Sequence, residues 1–178
     1  MVRAFLALSL SAEERRLIQQ AVEPLSLVLG DEVRWLRPEN WHITLRFLGN
    51  VDNNILDYMS QCAESAASEI KKFTYAGQKI AGFPATKSRM IAVYIESNAV
   101  LEQLFQTLDQ AAIAAGLASE NRSFKPHITL AKTREQIKSF SPILLEDFCF
   151  TAKELVLYES QSTNEDSHYI PIKKFAFR

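Results

Sequence analysis

Two of the three histidines in this 178-residue chain sit in the same tetrapeptide. His42-Ile43-Thr44-Leu45 returns as His127-Ile128-Thr129-Leu130, 85 positions later and close to half the chain length away. An imidazole titrates near pH 6.5, so it can give or take a proton at neutral pH. A hydroxyl two residues on can donate a hydrogen bond to an oxygen on which charge develops. Repetition of the pair points to two half-sites that act on one substrate from opposite sides. One neutral imidazole would take a proton from water while a protonated one gives a proton to a leaving oxygen, a division of labour suited to a phosphate.

Such a pair needs rigid, matched elements beneath it. Residues 41–48 alternate as a strand, with Trp41, Ile43, Leu45 and Phe47 forming an apolar face and His42, Thr44 and Arg46 the other. Side chains two apart on a strand are roughly 6–7 Å apart, so His and Thr can reach neighbouring atoms of one small group. The second copy repeats this, with Pro126 at its entry, where a missing N–H does least harm.

The remaining periodicities supply the scaffold. Residues 2–10 alternate as a strand, and Ser11-Ala12-Glu13-Glu14 reads as a capping box ahead of Leu17, Ile18, Ala21 and Leu25 at helical spacing. Pro24 is expected to kink or shorten that helix. A strand over 33–36 leads into the first motif strand, which should end at Gly49. Helices are expected over 53–71 and 98–115, the latter stopped by Gly116, and strands over 73–82 and 89–96. A short helical turn over Arg134–Lys138 and closing strands over 147–160 and 168–176 complete the chain. Hairpin-like strand pairs precede helices, which favours an α+β fold with antiparallel sheets, and no linker divides residues 1–178, which read as a single domain. The motif spacing suggests two pseudo-symmetric lobes flanked by helices, with a central cleft.

Composition narrows the function. A net charge of −1 and a pI near 6.3 argue against a broad nucleic-acid surface, although Arg34, Arg37, Arg46, Lys125 and Lys132 bracket the motifs. No run approaches the ~20 apolar residues of a membrane span, and the N-terminal alternation carries no signal-peptide pattern. Cys62 and Cys149 lack CxxC spacing and read as buried thiols of a cytoplasmic protein. A zinc site needs three or four converging ligands, and His168 is the one spare histidine, expected to face solvent; the reading includes no metal and no cofactor. Neither a Gly-x-Ser-x-Gly elbow nor a phosphate-cradling glycine loop is present among five glycines.

At the level of motifs the chain resembles the 2H phosphoesterases, and within them the RNA 2′,3′-cyclic phosphodiesterases, also called 2′-5′ RNA ligases. The resemblance runs through Arg3-Ala4-Phe5-Leu6-Ala7, Asn40 to Gly49, Phe124-Lys125-Pro126-His127-Ile128-Thr129-Leu130-Ala131, and a closing hairpin from Ser160 to Tyr169. It departs at Lys132, where the family has Arg, at Ala92, where an aromatic is common, and in the lack of Gly between Ser160 and Tyr169. The resemblance implies catalysis by His42, Thr44, His127 and Thr129, with His42 as acid and His127 as base. The residue chemistry alone leaves that direction open. Arg46, Lys132, Phe5 and Tyr169 are the expected substrate-binding residues. RNA 3′ ends or nucleotide 2′,3′-cyclic phosphates are the implied partners of a monomer that contacts no membrane, with 2′-5′ ligation as the reverse reaction. A binding module that holds a nucleotide or RNA end without turnover is the competing reading.

Overall fold

The computed structural model describes residues 1–84, 89–133, 135–137, 140–162 and 167–178. Its elements are β1 (Val2–Ser9), α1 (Ala12–Leu29), β2 (Arg34–Trp35), β3 (His42–Val51), α2 (Asn53–Glu69), β4 (Phe73–Phe83), β5 (Met90–Ile95), α3 (Ala99–Ala114), β6 (His127–Lys132), β7 (Ile143–Leu144), β8 (Cys149–Ala152), β9 (Glu154–Ser162) and β10 (Ser167–Ala176). The strands run in the order β10-β9-β1-β3-β6-β5-β4-β7, with β2 added beside β6 and β8 beside β4. Every recorded pairing is antiparallel, so the fold is α+β as expected. Among the described residues no helix is long and apolar enough to cross a membrane.

The two halves of the sheet meet where Ile43 pairs with Ile128. Both side chains are fully buried on the helix-covered face, each worth roughly 1.5–3 kcal/mol of apolar burial. Registers on either side match. Ala7 pairs with Thr44, Leu6 with Arg46 and Phe5 with Phe47. Across the junction Ala92 pairs with Thr129, Ile91 with Ala131 and Met90 with Lys132. Both series skip one residue of the motif strand, Leu45 in one half and Leu130 in the other. Each skipped leucine is a β-bulge, and a bulge reverses which face the following side chains point to.

That reversal corrects the alternation read from sequence. Arg46 is 6% exposed on the buried face, and Phe47 is 54% exposed on the other. Arg46 Nε lies 2.9 Å from Asp109 Oδ1 of α3, and the guanidinium donates to the carbonyls of Phe47 and Ala118. Arg46 is therefore an internal strut between β3 and α3 rather than a substrate-binding residue.

The helices follow their caps. Ser11 Oγ accepts from Glu14 N and Glu14 Oε2 accepts from Ser11 N, closing the capping box. The other oxygen of buried Glu14 accepts from Thr151 N at 2.7 Å, which ties α1 to β8 and so to the half of the sheet containing β4. Asp52 and Asn98 cap α2 and α3 through Ile55 N and Leu101 N. Gly116, at φ +86°, ends α3 with bonds from Gly116 N to Ile113 and from Leu117 N to Ala112. Helix α1 continues through Pro24 to Leu29, and β3 continues past Gly49 to Val51.

The expected strand over 147–160 is two strands. β8 pairs with β4 and β9 with β1, so the chain crosses between the halves at Lys153. Of the expected turn at Arg134–Lys138, both ends lie outside the described residues and 135–137 are not helical. Cys149 is exposed and Cys62 half-buried, both free, so the thiols are not core residues.

Replacing Arg46 by Met should strand the Asp109 carboxylate and lower stability by about 3 kcal/mol. Urea unfolding would show this as a lower midpoint at unchanged slope. An unaltered midpoint would mean that the strut carries no energy.

Candidate active site

His42 and Thr44 flank Ile43, and His127 and Thr129 flank Ile128. With the two isoleucines buried, all four polar side chains project from the opposite face, about one phosphate's reach from the junction. The antiparallel register sets His42 toward Thr129 and Thr44 toward His127, so the imidazoles lie on a diagonal.

Each imidazole is oriented by its own chain. His42 Nδ1 lies 2.7 Å from the carbonyl of Asn40, and His127 Nδ1 lies 2.8 Å from the carbonyl of Lys125. A carbonyl only accepts, so both Nδ1 atoms carry the proton and both Nε2 atoms are left for chemistry. The 3₁₀ turn Pro38–Asn40 presents the first carbonyl, and Asn40 Nδ2 donates to Ser167 O at 2.6 Å, which fixes it. Thr44 Oγ1 lies 2.9 Å from His42 Nε2 and donates to that nitrogen when the ring is neutral.

Aromatic rings surround His42. Phe5 lies 4.8 Å from its centroid, Tyr169 meets it edge-on at 5.1 Å, and Tyr158 lies 6.1 Å away. Phe5 is 1% exposed, so it supports the imidazole from below instead of offering a face to a ligand, a correction to its expected role. Tyr169 is partly buried beside both rings. On the other side Phe83 stacks on His127 at 3.9 Å, and Tyr94 OH donates to Gly82 O beside it.

Burial dominates the electrostatics. It pushes His42 down to about 4 against a raising contribution from the Asn40 carbonyl, and His127 and Lys132 push it further down. His127 is also lowered, by burial more than the Lys125 carbonyl restores. The lowering of His42 by His127 places the two rings in one field. Lys132 belongs to it and is itself lowered, first by burial and then by Arg34 and Arg3. His168 is exposed on β10. No three His, Cys, Asp or Glu side chains converge as a metal-holding group among the described residues.

Sequence reading missed Phe47, Tyr158, Phe83, Tyr94 and Arg3. Phe47 was hidden by the bulge. The others come from strands whose neighbours only pairing reveals, although Phe5 and Tyr158 oppose one another in register.

Two matched His-Thr pairs thus stand on one face of an open antiparallel sheet. The family described as LigT like Phosphoesterase matches residues 8–94. Over that stretch the chain is similar to LigT-like phosphoesterases. It is 28% identical over 178 residues to an RNA 2′,3′-cyclic phosphodiesterase of Escherichia coli, covering 98% of this chain and 96% of that one. Relatives of the same name in Geobacillus stearothermophilus and Bacillus subtilis are 26% and 34% identical over 88% and 56% of this chain. The chain spans about half the length of those two, 51% and 55%. The crystal structure of E. coli LigT with 3′-AMP superimposes with a TM-score of 0.81, at 24% identity over 99% of this chain and 98% of that one.

An NMR titration should find the His42 ring neutral down to a midpoint near pH 4. Its folded pKa lies below the unfolded 6.5, so the stability tied to the neutral ring is present above 6.5 and lost as pH falls toward 4. A His42 midpoint at or above 6.5 in the unliganded protein would contradict this.

Proposed function

We propose that the protein hydrolyses the 2′,3′-cyclic phosphate at an RNA end to a 2′-phosphomonoester. The observation that carries this is the pair of His-Thr half-sites on one face, each imidazole held at Nδ1 by a backbone carbonyl, with the His42 Nε2 atom against the Thr44 hydroxyl. The names of the relatives support the RNA substrate, and the nucleotide bound to E. coli LigT supports a nucleotide at this site.

In the proposed reaction His127 Nε2 takes a proton from water as the water oxygen attacks phosphorus. The bond from phosphorus to the 3′ oxygen breaks, and His42 Nε2 supplies that oxygen with a proton. Thr44 and Thr129 donate to the non-bridging oxygens, where charge grows. Acid and base return to their starting states by exchange with solvent. No step uses a metal. Joining RNA ends through a 2′-5′ bond is the reverse of the same chemistry, with an RNA hydroxyl in place of water; water at ~55 M favours hydrolysis.

The roles place a demand on His42. With a pKa near 4 only about one ring in a thousand is protonated at pH 7 in the unliganded protein. The anionic phosphate raises that pKa on binding, because an opposite charge in contact favours the imidazolium. Substrate binding and protonation of the acid are thus one coupled event.

Incubation with an RNA ending in a 2′,3′-cyclic phosphate, in EDTA, should give the 2′-phosphate. His42→Ala and His127→Ala should each cost on the order of 10²–10⁴ in turnover, and the double variant little more than either. Thr44→Ala and Thr129→Ala should be milder. Retention of the nucleotide without turnover at any pH would instead identify a binding module, and loss of activity on chelation would rule out the two-histidine mechanism.

The pH profile gives a further check. Both histidines are lowered in the free protein, so kcat/KM should be bell-shaped and already falling above about pH 6.5, as the acid loses its proton. The basic limb of kcat should lie higher, since the bound phosphate holds the proton on His42. Coincident basic limbs would refute the coupling.

A further inference from the structure

Beside His42 the chain concentrates positive charge in a way its overall charge of −1 does not suggest. Arg34 and Lys132 face one another across the β2–β6 pair. Arg3, exposed on β1 two residues before Phe5, lies within the same field as Lys132. A cyclic phosphate brings one negative charge. A protonated imidazole alone matches it, and Lys132 with two arginines extends the positive potential beyond the reacting phosphorus.

The charge leads into space. A cavity of about 750 Å³ opens alongside Arg34 and Lys132, continuing past Val33 and Thr133 to Gln136 and Ile137. That volume lies within the ~300–1,000 Å³ of pockets that hold small ligands. Arg34 and Lys132 line it, and so do three carboxylates, those of Asp31, Glu32 and Glu135. A second phosphate deep in it would meet carboxylates. A nucleoside, with hydroxyl and amino donors for those carboxylates and an apolar base face for Val33 and Ile137, suits the mixed lining.

We propose that this cavity is a subsite for the nucleotide on the 5′ side of the cyclic end, with Arg3, Arg34 and Lys132 taking the phosphodiester that joins it to the terminal nucleotide. The inference rests on the phosphodiesterase reading above, and it gives the second nucleotide of an RNA end a place of its own on this chain. The partial burial of Lys132 fits this role, because a cation already stripped of water interacts more strongly with an arriving anion.

Three substrates test it: a mononucleoside 2′,3′-cyclic phosphate, the dinucleotide with the same cyclic end, and that dinucleotide with a neutral methylphosphonate linkage. The dinucleotide should exceed the mononucleotide in kcat/KM by about tenfold or more, and the neutral linkage should remove most of the advantage. In Arg34→Ala the ratio of dinucleotide to mononucleotide should fall toward one, while Arg34→Lys keeps most of it. Equal kcat/KM for mononucleotide and dinucleotide would overturn the subsite and leave the phosphodiesterase standing. So would a preference that survives the neutral linkage or the loss of Arg34. Failure to hydrolyse any of the three would overturn the phosphodiesterase reading itself.

Discussion

One cross-strand contact, Ile43 against Ile128, governs the geometry of this molecule. It is where two similar half-sheets join, and burying both isoleucines on the helix side obliges their neighbours to project from the other. The two His-Thr pairs follow from that choice of face. A one-residue slip would send all four polar side chains into the core and bring the isoleucines out, so the chemistry and the stability of the junction are specified together. Register is held from further away by crossing attachments. Helix α1, which follows β1, is tied to β8 through Glu14, and helix α3, which follows β5, is tied to β3 through Asp109 and Arg46.

The half-sites match in the residues that would move protons and differ in those around them. By register, Phe5 corresponds to Met90, Arg46 to Ala131 and Phe47 to Lys132. Aromatic rings crowd His42, and a lysine stands on the second motif strand where the first has phenylalanine. Symmetry suits a reaction in which one proton is taken and another given on opposite sides of phosphorus. Asymmetry is needed to tell the two ends of a substrate apart, and here it is written into the residues just past the bulges.

Much of this was legible in the chain. The capping box at Ser11, the stop of α3 at Gly116, the paired motif strands and the α+β class all come from short-range patterns that the structure reproduces. What was not legible depends on pairing. A bulge is a property of two strands, so nothing in Leu45-Arg46-Phe47 announces that Arg46 turns inward and Phe47 outward. Arg46 read as a ligand for phosphate because strict alternation placed it beside His42 and Thr44. Lys153 falls in an apolar-rich run that reads as one strand, yet the run divides there because its two parts join different half-sheets. Phe5 reads from sequence as a substrate-binding residue, and its burial beneath the imidazole emerges only once β9 and β10 are laid alongside.

The crossed attachments of α1 and α3 have a mechanical meaning. A two-lobed enzyme whose lobes carry only their own helices can hinge shut around a ligand. Here each half is braced by a helix that belongs, in chain order, to the other, so opening the halves would pull Glu14 from Thr151 and Arg46 from Asp109. Both contacts therefore resist a change in the span between the imidazoles. Such a site measures its ligand against a rigid standard, and selects by what already fits.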